Sequence, residues 1–431
     1  VKSVQLTPAT PDYARIIAEY GYNVVNIHPS LVERDLMTDS WTDLLSPVMD
    51  ARLAALHARL DYADRQVHAA DIFPFRHFLP VAQGRAAEAF FWRAAARKDK
   101  CVVQNLLFPT SRHHLVLNRM RPVELPAPDV LQPGGASLFR GNLDCARLRD
   151  LLSEAQHNIG FIYVEAENNA SGGYPVSMAN VRELRQLARE HGIEMVLDAT
   201  RIIENAVLIQ AHEPGFENTP LKEIVRAFCA HFDAMTCSLA KDFGLARGGF
   251  IATNDDKLYC RALDYAATFG PGINATDKAL INAAMQDWEF IETQVKIRVA
   301  QTARLHTAFA ERRLPLLQPA SGHCLVIEVG DYIDLQAYRN PVVALLAWLF
   351  AETGIRGGLH GTGMGRDYAR NSMIRFAVPL CTPDRLIDEL QQPFVDALCA
   401  VPAIPDMEKI STMPGITGQI RASYRPVSLD S

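Results

Sequence analysis

The chain has 431 residues, 48% hydrophobic and 21% charged, with a formal net charge of −6. That length accommodates two domains and a large buried core, while the acidic balance and the lack of a basic tract speak against nucleic acid as a partner. The longest apolar runs, such as Pro341 to Ala351, fall far short of a bilayer span, so no membrane association is expected.

Taken in chain order, Thr10 to Tyr20 reads as a helix with Thr10 as its cap and Pro11 at the first position. An amphipathic helix is expected over Asp50 to Gln66, and an Ala-, Glu- and Arg-rich one over Gly84 to Lys98. Cys101 to Val116 reads as strand and loop, and Pro122 to Gly134 as irregular, Pro-rich chain. Regular alternation then begins, with a helix from Asp144 to Glu154, a strand from Asn158 to Ala166 and a Gly-rich loop. A helix from Ser177 to Glu190 and a strand from Ile193 to Leu197 complete a βαβ unit. Another helix, Leu221 to Ala230, leads to the strand Asp233 to Leu239, with a Gly-rich strand, Gly248 to Thr253, behind it. A long helical stretch from Thr276 to Arg313 connects to strands Cys324 to Val329 and Met373 to Val378, which alternate with helices Pro341 to Thr353 and Pro383 to Cys399.

In such parallel sheets ligands gather beyond the carboxyl ends of the strands, and Asn169, Asp198 and Lys241 all fall there. An Asp at one strand end and a Lys at a later one is the pattern of a pyridoxal phosphate site. The Lys forms the Schiff base, and the Asp keeps the pyridine nitrogen protonated so that the ring can withdraw electrons. Thirteen histidines show no metal-binding spacing, so no metal is expected, and eight scattered cysteines form no C-x-x-C pair. Reduced thiols, with no charged-then-apolar leader, point to a cytoplasmic protein.

Several stretches in order resemble the tryptophanase and tyrosine phenol-lyase family of β-eliminating lyases: Thr38-Asp39-Ser40, Gln83-Gly84-Arg85, Gly172-Gly173-Tyr174-Pro175-Val176-Ser177-Met178-Ala179-Asn180, Asp198-Ala199-Thr200-Arg201 and Ile374-Arg375-Phe376. The resemblance implies an α/β protein of the aminotransferase-like fold type I. Its large domain (41–290) would hold a mostly parallel seven-stranded sheet, and residues 1–40 and 291–431 would form a smaller α+β domain. It implies pyridoxal 5'-phosphate held by Gln83, Gly84, Arg85 and Ser238 at the phosphate, with Phe108 stacked on the ring. Asp198 would hold the ring nitrogen, Asn169 and Arg201 the phenolic oxygen, and Lys241 the Schiff base. Arg375, Thr38 and Ser40 would hold the substrate carboxylate end, and Arg366 matches an Arg in a specificity loop. A homodimer or homotetramer is the implied assembly.

Departures cluster at the far end of the substrate. The family's second lysine is Ala240, and its Thr after the stacking Phe is Pro109. The segment carrying its general-acid Tyr has no counterpart, leaving Tyr62 and His57 as nearby candidates. Its monovalent-cation positions are changed to Trp41 and Ala246. The expected function is therefore a pyridoxal phosphate lyase acting on an α-amino acid by β-elimination, with a substrate other than Trp or Tyr. Transamination, β-replacement and retro-aldol cleavage use the same machinery and stay open, and the alternative of another class is a silent binding protein on this fold.

Overall fold

Short runs of apolar residues separated by helices dictate a layered α/β arrangement, and a computed structural model of the chain has it. The structure describes residues 11–427 except 43, 45–46, 64–67, 131–136, 155–157, 271–272, 361–371 and 412–420. The central strands are β1 (His77–Val81), β2 (Cys101–Gln104), β3 (Arg121–Glu124), β4 (Ile159–Glu165), β5 (Glu194–Asp198), β6 (Ala234–Ser238) and β7 (Gly249–Thr253). They form one seven-stranded sheet in the order β1-β7-β6-β5-β4-β2-β3. The run from β3 through β2, β4 and β5 to β6 is parallel, and β7 alone opposes its neighbours β6 and β1. The mostly parallel α/β class expected from the sequence is thus the one observed.

Helices α1 (Gly84–Ala94), α2 (Pro109–Leu117), α3 (Met178–Glu190), α4 (Ile202–His212) and α5 (Leu221–Cys229) connect these strands. Three departures from the sequence reading have local causes. β3 lies inside the stretch expected to be irregular, because a proline that cannot donate to a ladder is tolerated on an edge strand. α2 replaces the expected loop, and Pro109 takes its first position, where a missing N–H costs nothing. α4 shows no amphipathic period to read, since Ile202 through Ile209 are all buried.

The long helix expected after Thr276 is two helices, Ala275–Gln286 and α6 (Trp288–Glu311), separated at Asp287. The helix expected over Asp50 to Gln66 is Pro47–His57, and the first helix is Tyr13–Glu19, capped by Asp12 rather than Thr10. Asp12 accepts from the Arg15 backbone N–H at 3.0 Å, while Thr10 lies outside the described residues.

α6 joins two cores. Ile291 and Val295 pack with the sheet, whereas Leu305, Ala308 and Phe309 pack in a second core. That second core gathers residues between Ile16 and Leu36, α7 (Pro341–Thr353), the helix Asp384–Cys399 and a small antiparallel sheet. The small sheet comprises β8 (Cys324–Glu328), β9 (Gly358–Leu359) and β10 (Met373–Ala377) in the order β9-β10-β8. α7 ends on Gly354 at φ +69°, where an added Cβ would lie 2.3 Å from the Tyr13 ring. Gly354→Ala is therefore expected to destabilise by at least about 1 kcal/mol, read as a lowered urea midpoint. No described helix is long and apolar enough to cross a membrane.

Candidate active site

The carboxyl ends of β4, β5 and β6 lie side by side, with Glu165 opposite Asp198 and Asp198 opposite Thr236. The segments that leave these ends therefore converge on one edge of the sheet. Lys241 stands just past β6 in a turn closed by the Gly244 N–H to the Lys241 carbonyl at 3.1 Å, with Gly244 at φ +58°. Its Nζ lies 3.4 Å from Ser40 Oγ. Desolvation lowers the pKa of the amine, and Arg201 and Arg85 add to this while Asp39 and Asp198 oppose it. The result is an amine biased toward its neutral, nucleophilic form.

Asp198 is buried, accepts from the Thr200 N–H at 3.0 Å, and has no ion pair among the described residues. Burial raises its pKa, against the Thr200 bonds and the charges of Arg201 and Lys241, so a protonated ring nitrogen beside it would meet a strong acceptor. The first turn of α1 carries no side-chain cap, which leaves amide donors and the positive end of the helix dipole for an anion. A Cβ on Gly84 would lie 2.4 Å from Ser238 Cβ, so the close approach of the helix start to Ser238 requires glycine. Phe108 precedes α2 and is half-buried. A partly buried amine, a buried carboxylate and an uncapped helix start against a serine fit, respectively, the aldehyde, ring nitrogen and phosphate of pyridoxal phosphate. Gly84→Ala is expected to weaken retention of the cofactor at least tenfold, as measured by equilibrium dialysis.

Among the remaining predicted residues, Arg201, Asn169, Arg375, Thr38 and Ser40 bond to one another or to near neighbours of the site. Arg201 was expected to spend its donors on the cofactor's phenolic oxygen. Its Nε and Nη2 form a buried two-pronged pair with Asp39 at 2.8 and 2.9 Å, which leaves Nη1 for that oxygen. Asn169 accepts through Oδ1 from Arg375 Nη1, so its amide NH2 is the group left to donate. Thr38 Oγ1 accepts from the Ser40 N–H at 3.1 Å and shapes that turn. Arg366 lies outside the described residues. Tyr62, one candidate for the missing acid, is 63% exposed, and His57 is exposed as well. Trp41 is buried, its backbone N–H donates to the Ala240 carbonyl at 2.8 Å, and its ring packs against Gly244.

Sequence reading missed the charged layer beneath this site. His323 Nδ1 lies 2.6 Å from Glu167 Oε1 and 3.0 Å from Glu204 Oε1. Arg298 Nη2 donates to Glu204 and, at 2.6 Å, to Asp242. Burial opposes charge in all of them, yet Arg298 and His323 pull Glu204 down to about 2. Cys324, Glu204 and Asp39 hold His323 protonated well above its usual range. Burial, with Glu204 close by, pushes Glu167 well up. Glu167, Glu204 and His323 bring their ligand-type atoms within 4.8 Å of one another; residues so far apart in sequence give no spacing to recognise. Asp39 had a signal, since it stands between two residues already singled out, and Asp242 directly follows Lys241. A Cβ on Gly322 would fall 1.8 Å from Glu204 Oε1 and 2.3 Å from Glu167 Oε2. Gly322→Ala is accordingly expected to destabilise by about 1–3 kcal/mol, visible as a lower thermal midpoint.

Comparison with known proteins agrees with this geometry. Residues 35–329 match the model of the family described as β-eliminating lyase. A tryptophanase from Salinibacter ruber is 31% identical over 88% of this chain and 84% of its own length. A tyrosine phenol-lyase from Clostridium tetani is 30% identical over 85% of this chain and 83% of its own. Among solved structures, a serine palmitoyltransferase from Sphingomonas wittichii superposes with a TM-score of 0.61 at 15% identity, covering 86% of this chain and 88% of its own. A PLP-bound C–S lyase from Staphylococcus hominis does so with a TM-score of 0.59 at 14% identity, covering 92% and 96%. These two likenesses carry the fold. The chain belongs to the β-eliminating lyase family and is a pyridoxal phosphate-dependent lyase.

Proposed function

We propose that this lyase eliminates a heteroatom group, such as a thiolate, from Cβ of an α-amino acid other than tryptophan or tyrosine. When bound, pyridoxal phosphate supplies the electron sink that makes the substrate's Cα proton acidic. Gln83, Gly84, Arg85 and Ser238 would hold its phosphate, Phe108 its ring face and Asp198 its ring nitrogen. The Asn169 amide and Arg201 Nη1 would hold its ring oxygen. The Arg375 guanidinium offers a planar fork to the α-carboxylate, with Thr38 and Ser40 lining the same end. Lys241 Nζ, biased to the neutral amine, takes the Cα proton while the Cβ–heteroatom pair departs with the leaving group. Hydrolysis of the resulting enamine gives a keto acid and ammonia.

The supporting observation is where the polar side chains stand. On this reading Ser40, Asp39, Asp198, Arg201, Asn169 and Arg375 all serve the cofactor and carboxylate end, which is supported by the bonds joining Arg201 to Asp39, Lys241 to Ser40 and Arg375 to Asn169. Where the family resemblance implies a Thr and a second Lys, this chain has Pro109, spent in starting α2, and Ala240, buried under Trp41. Expelling indole or phenol requires a proton delivered to a ring carbon, whereas a thiolate leaves without one. Purified holoenzyme offered a panel of amino acids should release keto acid and ammonia from S-substituted cysteines. Rapid indole or phenol release would overturn the proposal.

A homo-oligomer in a reducing, cytoplasmic compartment completes this reading. All eight cysteines are free thiols, which suits such a compartment, and light scattering on the purified protein would measure its assembly.

A further inference from the structure

Behind Asp198 lies a buried row of groups that the proposed chemistry does not use. Glu88, in the second turn of α1, accepts from Thr110 Oγ1 at 2.5 Å and bonds to Ser111 Oγ. Ser111 Oγ lies 3.4 Å from the Tyr163 hydroxyl, which in turn lies 3.5 Å from Asp198 Oδ2. Glu88, Ser111, Tyr163 and Asp198 are all less than a tenth exposed. Neither contact of Tyr163 is at full hydrogen-bond length; its hydroxyl stands between two acceptors and is committed to neither.

We infer that Glu88 is a positioning residue which, through Ser111 and Tyr163, sets whether Asp198 receives a second hydrogen bond and hence how strongly Asp198 holds the proton of the cofactor's ring nitrogen. The argument is one of proton counting. Ser111 and Tyr163 each carry a single hydroxyl hydrogen. With Glu88 ionised, Ser111 donates to it, and the Ser111 oxygen is left as an acceptor that competes with Asp198 Oδ2 for the Tyr163 hydrogen. With Glu88 protonated the row reverses: Glu88 donates to Ser111, Ser111 to Tyr163 and Tyr163 to Asp198. Glu88 takes up or releases one proton to solvent; along the rest of the row none changes residue and the hydroxyls only rotate. The first state leaves Asp198 the more basic and the ring nitrogen the more firmly protonated, and the second weakens that grip.

The groups facing this row place the reversal in a working range. Burial and the charge of Asp198 push Glu88 up to about 7, while the bonds from Ser111 and Thr110 and the charge of Lys241 oppose them. Burial keeps the Tyr163 hydroxyl un-ionised, with Asp198, Glu88 and Glu165 acting in the same sense. Glu165, on the same strand as Tyr163, is itself pushed up to about 8 by burial and Asp198, against Arg201. Arg85, on the same helix as Glu88, acts on Lys241.

The inference rests on Asp198 as the ring-nitrogen partner, and the test separates the two claims. Holoprotein is reconstituted with pyridoxal phosphate labelled with 15N in the ring, and the nitrogen shift is followed from pH 5.5 to 9. Wild type is expected to show a step centred near pH 7. Glu88→Gln, which cannot ionise, should lose the step while keeping the cofactor bound. Tyr163→Phe, which cuts the row but leaves Glu88 ionisable, should lose it as well. A step that survives in Glu88→Gln overturns the role of Glu88. A step that survives in Tyr163→Phe overturns the hydrogen-bonded route and leaves only a through-space charge effect. A ring nitrogen that is unprotonated in wild type at every pH overturns the Asp198 assignment instead.

Discussion

Lys241→Ala is expected to abolish the visible absorption of the holoprotein and to lower turnover by about 10²–10⁴-fold or more, the range for loss of a positioned general base. Two functions vanish with one amine: the covalent tether for the aldehyde and the base beside Cα. Alanine leaves the turn intact, because Gly244 bonds to the residue 241 carbonyl rather than to its side chain. The variant should therefore fold with wild-type stability and bind the cofactor without the absorbance of the tethered form. Lys241→Arg keeps a cation, yet its guanidinium stays protonated and cannot serve either role, so it should be equally inactive. A visible band that persisted in the alanine variant would move the tether to another lysine and dismantle the site proposed here.

Asp39→Ala should produce the largest loss of stability, about 3–5 kcal/mol, as expected when one partner of a buried pair is removed and a charge is left alone. Asp39 and Arg201 are 1% and 4% exposed, and two hydrogen bonds join them. Chemical denaturation at neutral pH measures the loss, and replacing both residues by apolar ones of similar size should recover most of it. The pH dependence follows with its sign. Burial opposes ionisation of Asp39, but Arg201 and His323 hold its carboxyl well below the ordinary 3.8. Its contribution is therefore fully present above about pH 4 and is lost as pH falls through the depressed folded value.

Glu88 and Glu165 act in the opposite sense. Their folded values of about 7 and about 8 exceed the unfolded ones. Their stabilisation is present below about pH 4.5 and disappears as pH rises through 7 to 8. On these carboxyls the apoprotein should thus be most stable at about pH 4–4.5 and lose stability as pH rises toward 8, and urea midpoints across that range would show it. An apoprotein whose stability climbed steadily to pH 9 would contradict the raised carboxyls.

How much of this was legible in the sequence depended on how far apart the partners lie. Lys241 and Asp198 could be read because one ends a strand and the other follows one in a regular alternation, and parallel pairing brings strand ends together. β3 and α4 could not, since one contains a proline and the other has no polar face. The resemblance supplied Arg201 and Arg375 but not their partners. Arg201 takes Asp39 from the N-terminal segment, and Arg375 takes Asn169 from the loop after β4. Composition and period report which side of an element is buried. They do not report which charges from distant segments settle against one another once buried, and that pairing is where the structure added most.

The same long reach bears on how the protein is made. Asp39 meets a residue 162 positions later, Asn169 meets one 206 later, and Arg356 reaches back 321 positions to Asp35. Such contacts close late, because large loops are slow to bring together. A chain emerging from the ribosome holds Lys241 and Asp198 long before Arg375 and the partner strands exist to enclose them. Nascent and truncated chains would therefore bind pyridoxal phosphate poorly, and the cofactor would go almost entirely to finished molecules.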